Sequence, residues 1–85
     1  MLIILENIRK LENRLSELRE KKRIFDYRLI LKLNMSVNLY IVTDNMTDIE
    51  IQAITRSQSI DIDTEIISKK ELETDDYYNN LFENT

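Results

Sequence analysis

The 85-residue chain contains no glycine, no proline, no cysteine and no histidine. Without glycine, turns that need a positive φ fall to Asn, Asp or an occasional Ser. The Gly-rich loops that cradle phosphates are ruled out, together with the nucleotide-binding folds built on them. Without cysteine there is no disulfide, no thiolate nucleophile and no thiolate metal site. Without histidine the commonest general acid-base group is missing, and with it the Ser/His and Cys/His nucleophile pairs. Carboxylate, lysine and tyrosine chemistry remains, but so short a chain leaves little cleft in which to hold and dry a substrate. A non-enzyme without cofactors is expected.

A long hydrophobic run is also lacking. Met1 to Leu5 is apolar, but the stretch is short, has no basic flank and stops at Glu6. It fits neither a signal peptide nor a membrane span, so a cytoplasmic location is the expectation, with no membrane partner.

The chain does have the composition of a folded protein, 42% hydrophobic and 33% charged. Its length suits one domain over residues 1–85, marginally stable alone and helped by association. Ile, Asn, Lys and Tyr are abundant beside a single alanine, Ala53, a bias typical of AT-rich coding in phages, plasmids and low-GC bacteria.

Ile4, Ile8, Leu11, Leu15 and Leu18 recur at alternating steps of four and three, which predicts an amphipathic helix over residues 2–23. The same spacing is that of a heptad seam, so these five residues are candidates for self-association as an antiparallel homodimer. The other reading is a stripe that covers the chain's own sheet.

From Phe25 the period changes to two, and residues 24–67 read mainly as antiparallel sheet. Odd-numbered apolar residues on both sides of Asn34-Met35-Ser36 imply a three-residue hairpin loop there. That loop pairs Leu33 with Val37 and Leu31 with Leu39, which places Leu31 at the buried centre. Residues 47–57 read two ways. Thr47 to Glu50 forms a capping-box pattern that opens a helix, while Ile49, Ile51, Ala53 and Thr55 alternate as a strand, joined by a loop at Arg56 to Ser59 to a further strand from Ser59 to Ile67. A second capping-box pattern, Ser68 to Glu71, opens an acidic helix or tail over residues 68–85. The expected fold is α+β: a long N-terminal helix, a four-stranded antiparallel meander whose third strand has a helix as its alternative, and a short acidic C-terminal helix.

Charge is divided along the chain. Residues 1–34 carry nine Lys/Arg against five Asp/Glu, whereas residues 35–85 carry three against eleven. Asp61, Asp63 and Glu65 fall on one face of a strand at steps of roughly 6.6 Å, too divergent to converge on one metal ion. Further on, Asp75 and Asp76 adjoin Tyr77, Tyr78 and Phe82, aromatic anchors set among carboxylates. These eight residues are the candidate partner-binding set.

The basic run Arg19, Lys21, Lys22, Arg23 is interrupted by Glu20, and a pI of 4.8 is opposite to a nucleic-acid-binding footprint. The function class these features fit is a non-catalytic acidic protein that binds a basic protein surface. Phage and mobile-element inhibitors of host enzymes, anti-CRISPR proteins among them, are of this general kind. The rival expectations are an assembly protein dimerising through its first helix and a small DNA-binding regulator.

Overall fold

The computed structural model describes residues 2–56 and 61–83, without the side chains of residues 2–4. In chain order the elements are α1 (Leu2–Glu20), β1 (Asp26–Leu31), β2 (Val37–Val42), α2 (Asp48–Arg56), β3 (Ile62–Ile67), α3 (Lys69–Thr74) and α4 (Asp76–Glu83). The strands form one mixed sheet in the order β1-β2-β3, with β1 antiparallel and β3 parallel to β2.

Helix α1 ends in a Schellman motif. The Arg23 N–H donates to the Leu18 carbonyl (2.9 Å) and the Lys22 N–H to that of Arg19 (3.0 Å). The left-handed position of this motif, usually glycine, is held by Lys22 at φ 60°. The expectation that Asn, Asp or Ser would take such positions is therefore corrected: the described non-glycine residues with positive φ are Lys22 and Met35.

Met35, at φ 67°, closes the β1–β2 hairpin. The loop has the expected three residues but lies one position earlier, at Leu33-Asn34-Met35, between Lys32 and Ser36 (Lys32 N–H to Ser36 carbonyl, 2.8 Å). The Asn34 side chain fixes this choice by accepting from both the Ser36 N–H (3.1 Å) and its hydroxyl (2.6 Å). The odd-to-odd facing survives, but the partners shift by two: Leu31 meets Val37, Leu29 meets Leu39 and Tyr27 meets Ile41. Leu31 is consequently 48% exposed and Leu33, in the loop, is fully exposed.

Residues 48–56 are helix, which corrects the third strand of the meander. The capping box is made: the Thr47 N–H donates to Glu50 Oε1 (3.1 Å), and the Glu50 N–H to Thr47 Oγ1 (3.3 Å). Burial follows the helical period, because Ile51 is 1% exposed while Ile49, its partner in the strand alternation, is 80% exposed. As a crossover helix, α2 lets β3 return parallel to β2, from Val37 beside Ile62 to Val42 beside Ile67. The expected loop at Arg56 to Ser59 and its pairing of Thr55 with Ile60 fall mostly on residues 57–60, outside the described residues.

Helices α1 and α2 cover one face of the sheet. Leu11, Leu15 and Leu18 of α1 and Ile51 of α2 pack with Ile24, Leu39 and Ile41. The seam residues Leu11 and Leu15 are wholly buried, Leu18 nearly so and Ile8 partly; the Ile4 side chain lies outside the described residues. A dimer through this seam would have to draw Leu11 and Leu15 out of the chain's own core. On the opposite face Tyr40, Val42 and Ile67 are covered by Leu72 of α3 and by Tyr78, Leu81 and Phe82 of α4. Residues 68–83 thus form two short docked helices in place of one helix or tail, broken at Asp75 (ψ 114°).

Leu39→Ala, at a fully buried site of the central strand, is expected to cost about 2–5 kcal/mol, and Leu31→Ala about 1 kcal/mol or less. Urea denaturation compares them; equal losses would contradict the observed register. Lys22→Gly relieves a side chain from the left-handed region and is expected to stabilise by roughly 0.5–1.5 kcal/mol. A lowered midpoint would show that Lys22 makes a contact worth more than the strain.

Candidate functional site

The sheet face beneath α4 carries the even-numbered residues of β1 and β2 and the odd-numbered residues of β3. One row across it reads Arg28, Tyr40, Glu65. Helix α4 is held on this row at both sides. The Arg28 guanidinium donates to the Phe82 carbonyl (2.7 Å) and stacks 4.8 Å over the Phe82 ring, while the Tyr78 hydroxyl donates to Glu65 Oε2 (3.1 Å). Arg28 also pairs with Asp26 (3.4 Å), although its Nε is buried without a partner. The Asp75 carboxylate caps α4 by accepting from the Tyr77 N–H (2.9 Å).

Tyr77 and Tyr78 meet edge to face, ring centroids 5.4 Å apart, with Tyr77 largely exposed. Tyr40 lies buried beneath them. Hydrogen bonding with Tyr77, then burial and the neighbouring Glu65 charge, push the Tyr40 phenol up to about 12. The hydrogen bond to Glu65, with burial, raises Tyr78 as well. All these causes favour the neutral phenol, so neither Tyr40 nor Tyr78 supplies a phenolate nucleophile or base near neutral pH.

The structure therefore joins two stretches that the sequence analysis treated separately. Glu65 of the acidic strand contacts Tyr78 of the acidic helix, and Asp61 and Asp63 continue the same face along β3. Asp63 pairs with Lys32 (3.1 Å) from the hairpin. Asp63 and Glu65 serve different partners, and among the described residues no group of three converges as a metal site. Phe82 faces Arg28 and the core, so it anchors α4. Tyr40, Arg28 and Lys32 belong to this face and were not among the candidates. Tyr40 left one local signal, a phenol within the otherwise apolar stretch Leu39 to Val42.

Ion pairing is as unequal as the sequence charge. Among the described residues the six ion pairs engage Arg14, Arg19, Lys21, Arg23, Arg28 and Lys32, all from residues 1–34. Of the eleven acids in residues 35–85, Glu50 and Asp63 are paired. The other nine, Asp44, Asp48, Asp61, Glu65, Glu71, Glu73, Asp75, Asp76 and Glu83, enter no ion pair among the described residues, and neither do Glu6, Glu12 and Glu20 of α1.

On the opposite side an open cleft of about 490 Å³ lies between α1 and α2, lined by residues that include Arg14, Arg23, Met46, Glu50 and Ile54. Its cations are already engaged: Arg23 with Glu50 (2.8 Å) and Arg14 with Glu17 (3.6 Å). The Thr47 N–H and hydroxyl, with Arg23, hold the Glu50 carboxyl below its ordinary range. Among the described residues no helix is long and apolar enough to cross a membrane. Comparison with known proteins returned no matching family model, no similar curated protein and no similar solved structure.

The tyrosine cluster has a pH signature. The folded state holds the Tyr40 proton more tightly than the unfolded chain, whose phenol has the ordinary value of 10.0. The resulting stability is complete below about pH 10 and is lost as pH rises towards about 12. Tyr40→Phe is expected to flatten this loss, leaving the smaller fall due to Tyr78. Denaturation midpoints at about pH 9 and about pH 11 measure it; an unchanged slope in Tyr40→Phe would contradict the assignment.

Proposed function

We propose that this protein is a non-catalytic acidic binding domain whose β3–α4 face occupies a basic, nucleic-acid-binding surface of another protein, as an inhibitor encoded by a phage or mobile element would. One observation carries the reading: of the nine acids of residues 35–85 that enter no ion pair among the described residues, seven, Asp61, Glu65, Glu71, Glu73, Asp75, Asp76 and Glu83, lie in or beside β3, α3 and α4, which also carry the exposed Tyr77. Unpaired acids steer association with a cationic partner, and an exposed aromatic ring gives such a surface an anchor. The cations of the other half are mostly spent on internal pairs, which weighs against a DNA-binding helix end.

The test is affinity capture from the native host, comparing the wild type with two variants. In one, Asp61, Asp75 and Asp76 are changed to Asn and Tyr77 to Ala; in the other, Lys21, Lys22 and Arg23 are changed to Glu. The acidic-face variant is expected to lose its partner by about tenfold or more in affinity, and the wild-type complex to weaken as ionic strength rises. Nucleic acid should compete for the captured protein. Capture that ignores salt and survives the acidic-face variant, or that fails only with the basic-end variant, would overturn the reading.

A further inference from the structure

The two edges of the sheet are defended unequally. Strand β3 carries Asp63 and Glu65, with Asp61 just before it, charges of the kind that discourage a further strand from pairing. Strand β1 carries Asp26 and Arg28 near its start and is followed by Lys32, but the half between them, Leu29 to Leu31, has no charge. Because Lys32 and Ser36 form a hydrogen-bonded pair, the antiparallel alternation turns the backbone groups of Ile30 and Arg28 towards β2 and those of Tyr27, Leu29 and Leu31 outward. At Tyr27 the chain closes its own edge. The Tyr27 N–H donates to Asp26 Oδ1 (2.8 Å), and the Arg28 guanidinium donates to the Tyr27 carbonyl (2.9 Å). Among the described residues no side chain caps Leu29 or Leu31 in this way.

The uncapped half is also the apolar half. Of the eight large apolar side chains exposed among the described residues, Ile30, Leu31, Leu33 and Met35 lie within one short stretch. Backbone groups open to pairing thus coincide with apolar side chains that lack cover, a combination that isolated surface leucines do not have.

We propose that the open half of β1 is a self-association edge, at which a second copy of this chain adds antiparallel about a two-fold axis at Leu31, joining two three-stranded sheets into one of six strands. The local sequence fits its own copy. A two-fold at Leu31 sets Leu31 against Leu31, Leu29 against Leu33, and Ile30 against Lys32, so no like charges meet. The Lys32 ammonium is already neutralised by Asp63 of its own chain (3.1 Å). Both copies present the Leu31 N–H and carbonyl outward, which yields two reciprocal backbone hydrogen bonds at the axis. Leu33, being in the loop, contributes its side chain. A two-fold at Leu29 would need the Tyr27 groups, and these are taken. The same caps favour a short isologous contact over a long extended peptide, which would run the whole edge.

Sedimentation and light scattering across a concentration series test the proposal, using the wild type, Leu31→Lys and Leu33→Lys. The wild type is expected to dimerise. Leu31→Lys places two ammonium groups at the axis and is expected to raise the dissociation constant by about tenfold or more, with the circular dichroism of the fold retained. Leu33 is fully exposed, so Leu33→Lys weakens the dimer without touching the monomer's core and decides the matter if Leu31→Lys fails to fold. A wild type that stays monomeric at the highest concentration, or a dimer indifferent to both variants, would overturn the proposal. Neither outcome bears on the carboxylates and Tyr77 of the acidic face, which lie outside β1.

Discussion

Strand β2 has apolar neighbours on both faces and a hydrogen-bonded strand on each edge, and the rest of the fold follows from that enclosure. Its sequence, Val37 to Val42, offers Leu39 and Ile41 to one layer and Tyr40 and Val42 to the other, with Asn38 the one residue short of full burial. A strand of this kind needs cover on both sides, and a chain this small has little to spare for it. Helices α1 and α2 supply one layer; the two short C-terminal helices supply the other. The crossover through α2 is what lets β3 close the second edge of β2 in parallel.

The enclosure also sets what the surface can do. Covering Tyr40 and Val42 requires α4 to lie across the sheet, which brings Tyr78 to Glu65 and leaves Tyr77 outside. The N-terminal helix and hairpin neutralise much of their positive charge internally, while most acids of β3, α3 and α4 are left without ion pairs among the described residues. The hairpin end of β1 is left both apolar and uncapped. The proposed carboxylate surface and the proposed pairing edge occupy opposite margins of one sheet.

Local chemistry was legible in the sequence, and long-range pairing much less so. Both capping boxes, at Thr47/Glu50 and Ser68/Glu71, formed as their spacing implied, because each needs only neighbours within one turn. The hairpin's face was right for the same reason, but its register depended on the Asn34 side chain bonding Ser36, which alternation alone does not reveal. Residues 49–55 satisfied two periods at once. The deciding fact, that Ile51 and Ile54 have a sheet to lie on while Ile49 does not, is tertiary. The acidic candidates at 61–65 and 75–78 were found separately. Their union, and the parts played by Arg28 and Tyr40, came from the docking of α4, which no local pattern encodes.

Native-state hydrogen exchange of the β2 amides tests the enclosure most directly. The account predicts that Leu39, Tyr40, Ile41 and Val42 exchange only through global unfolding, with opening free energies equal to that from denaturant, while the amides of α4 open at lower cost. Exchange of Tyr40 and Val42 as fast as that of α4 would contradict it, because β2 would then open with its cover and could not be the strand on which the fold is built.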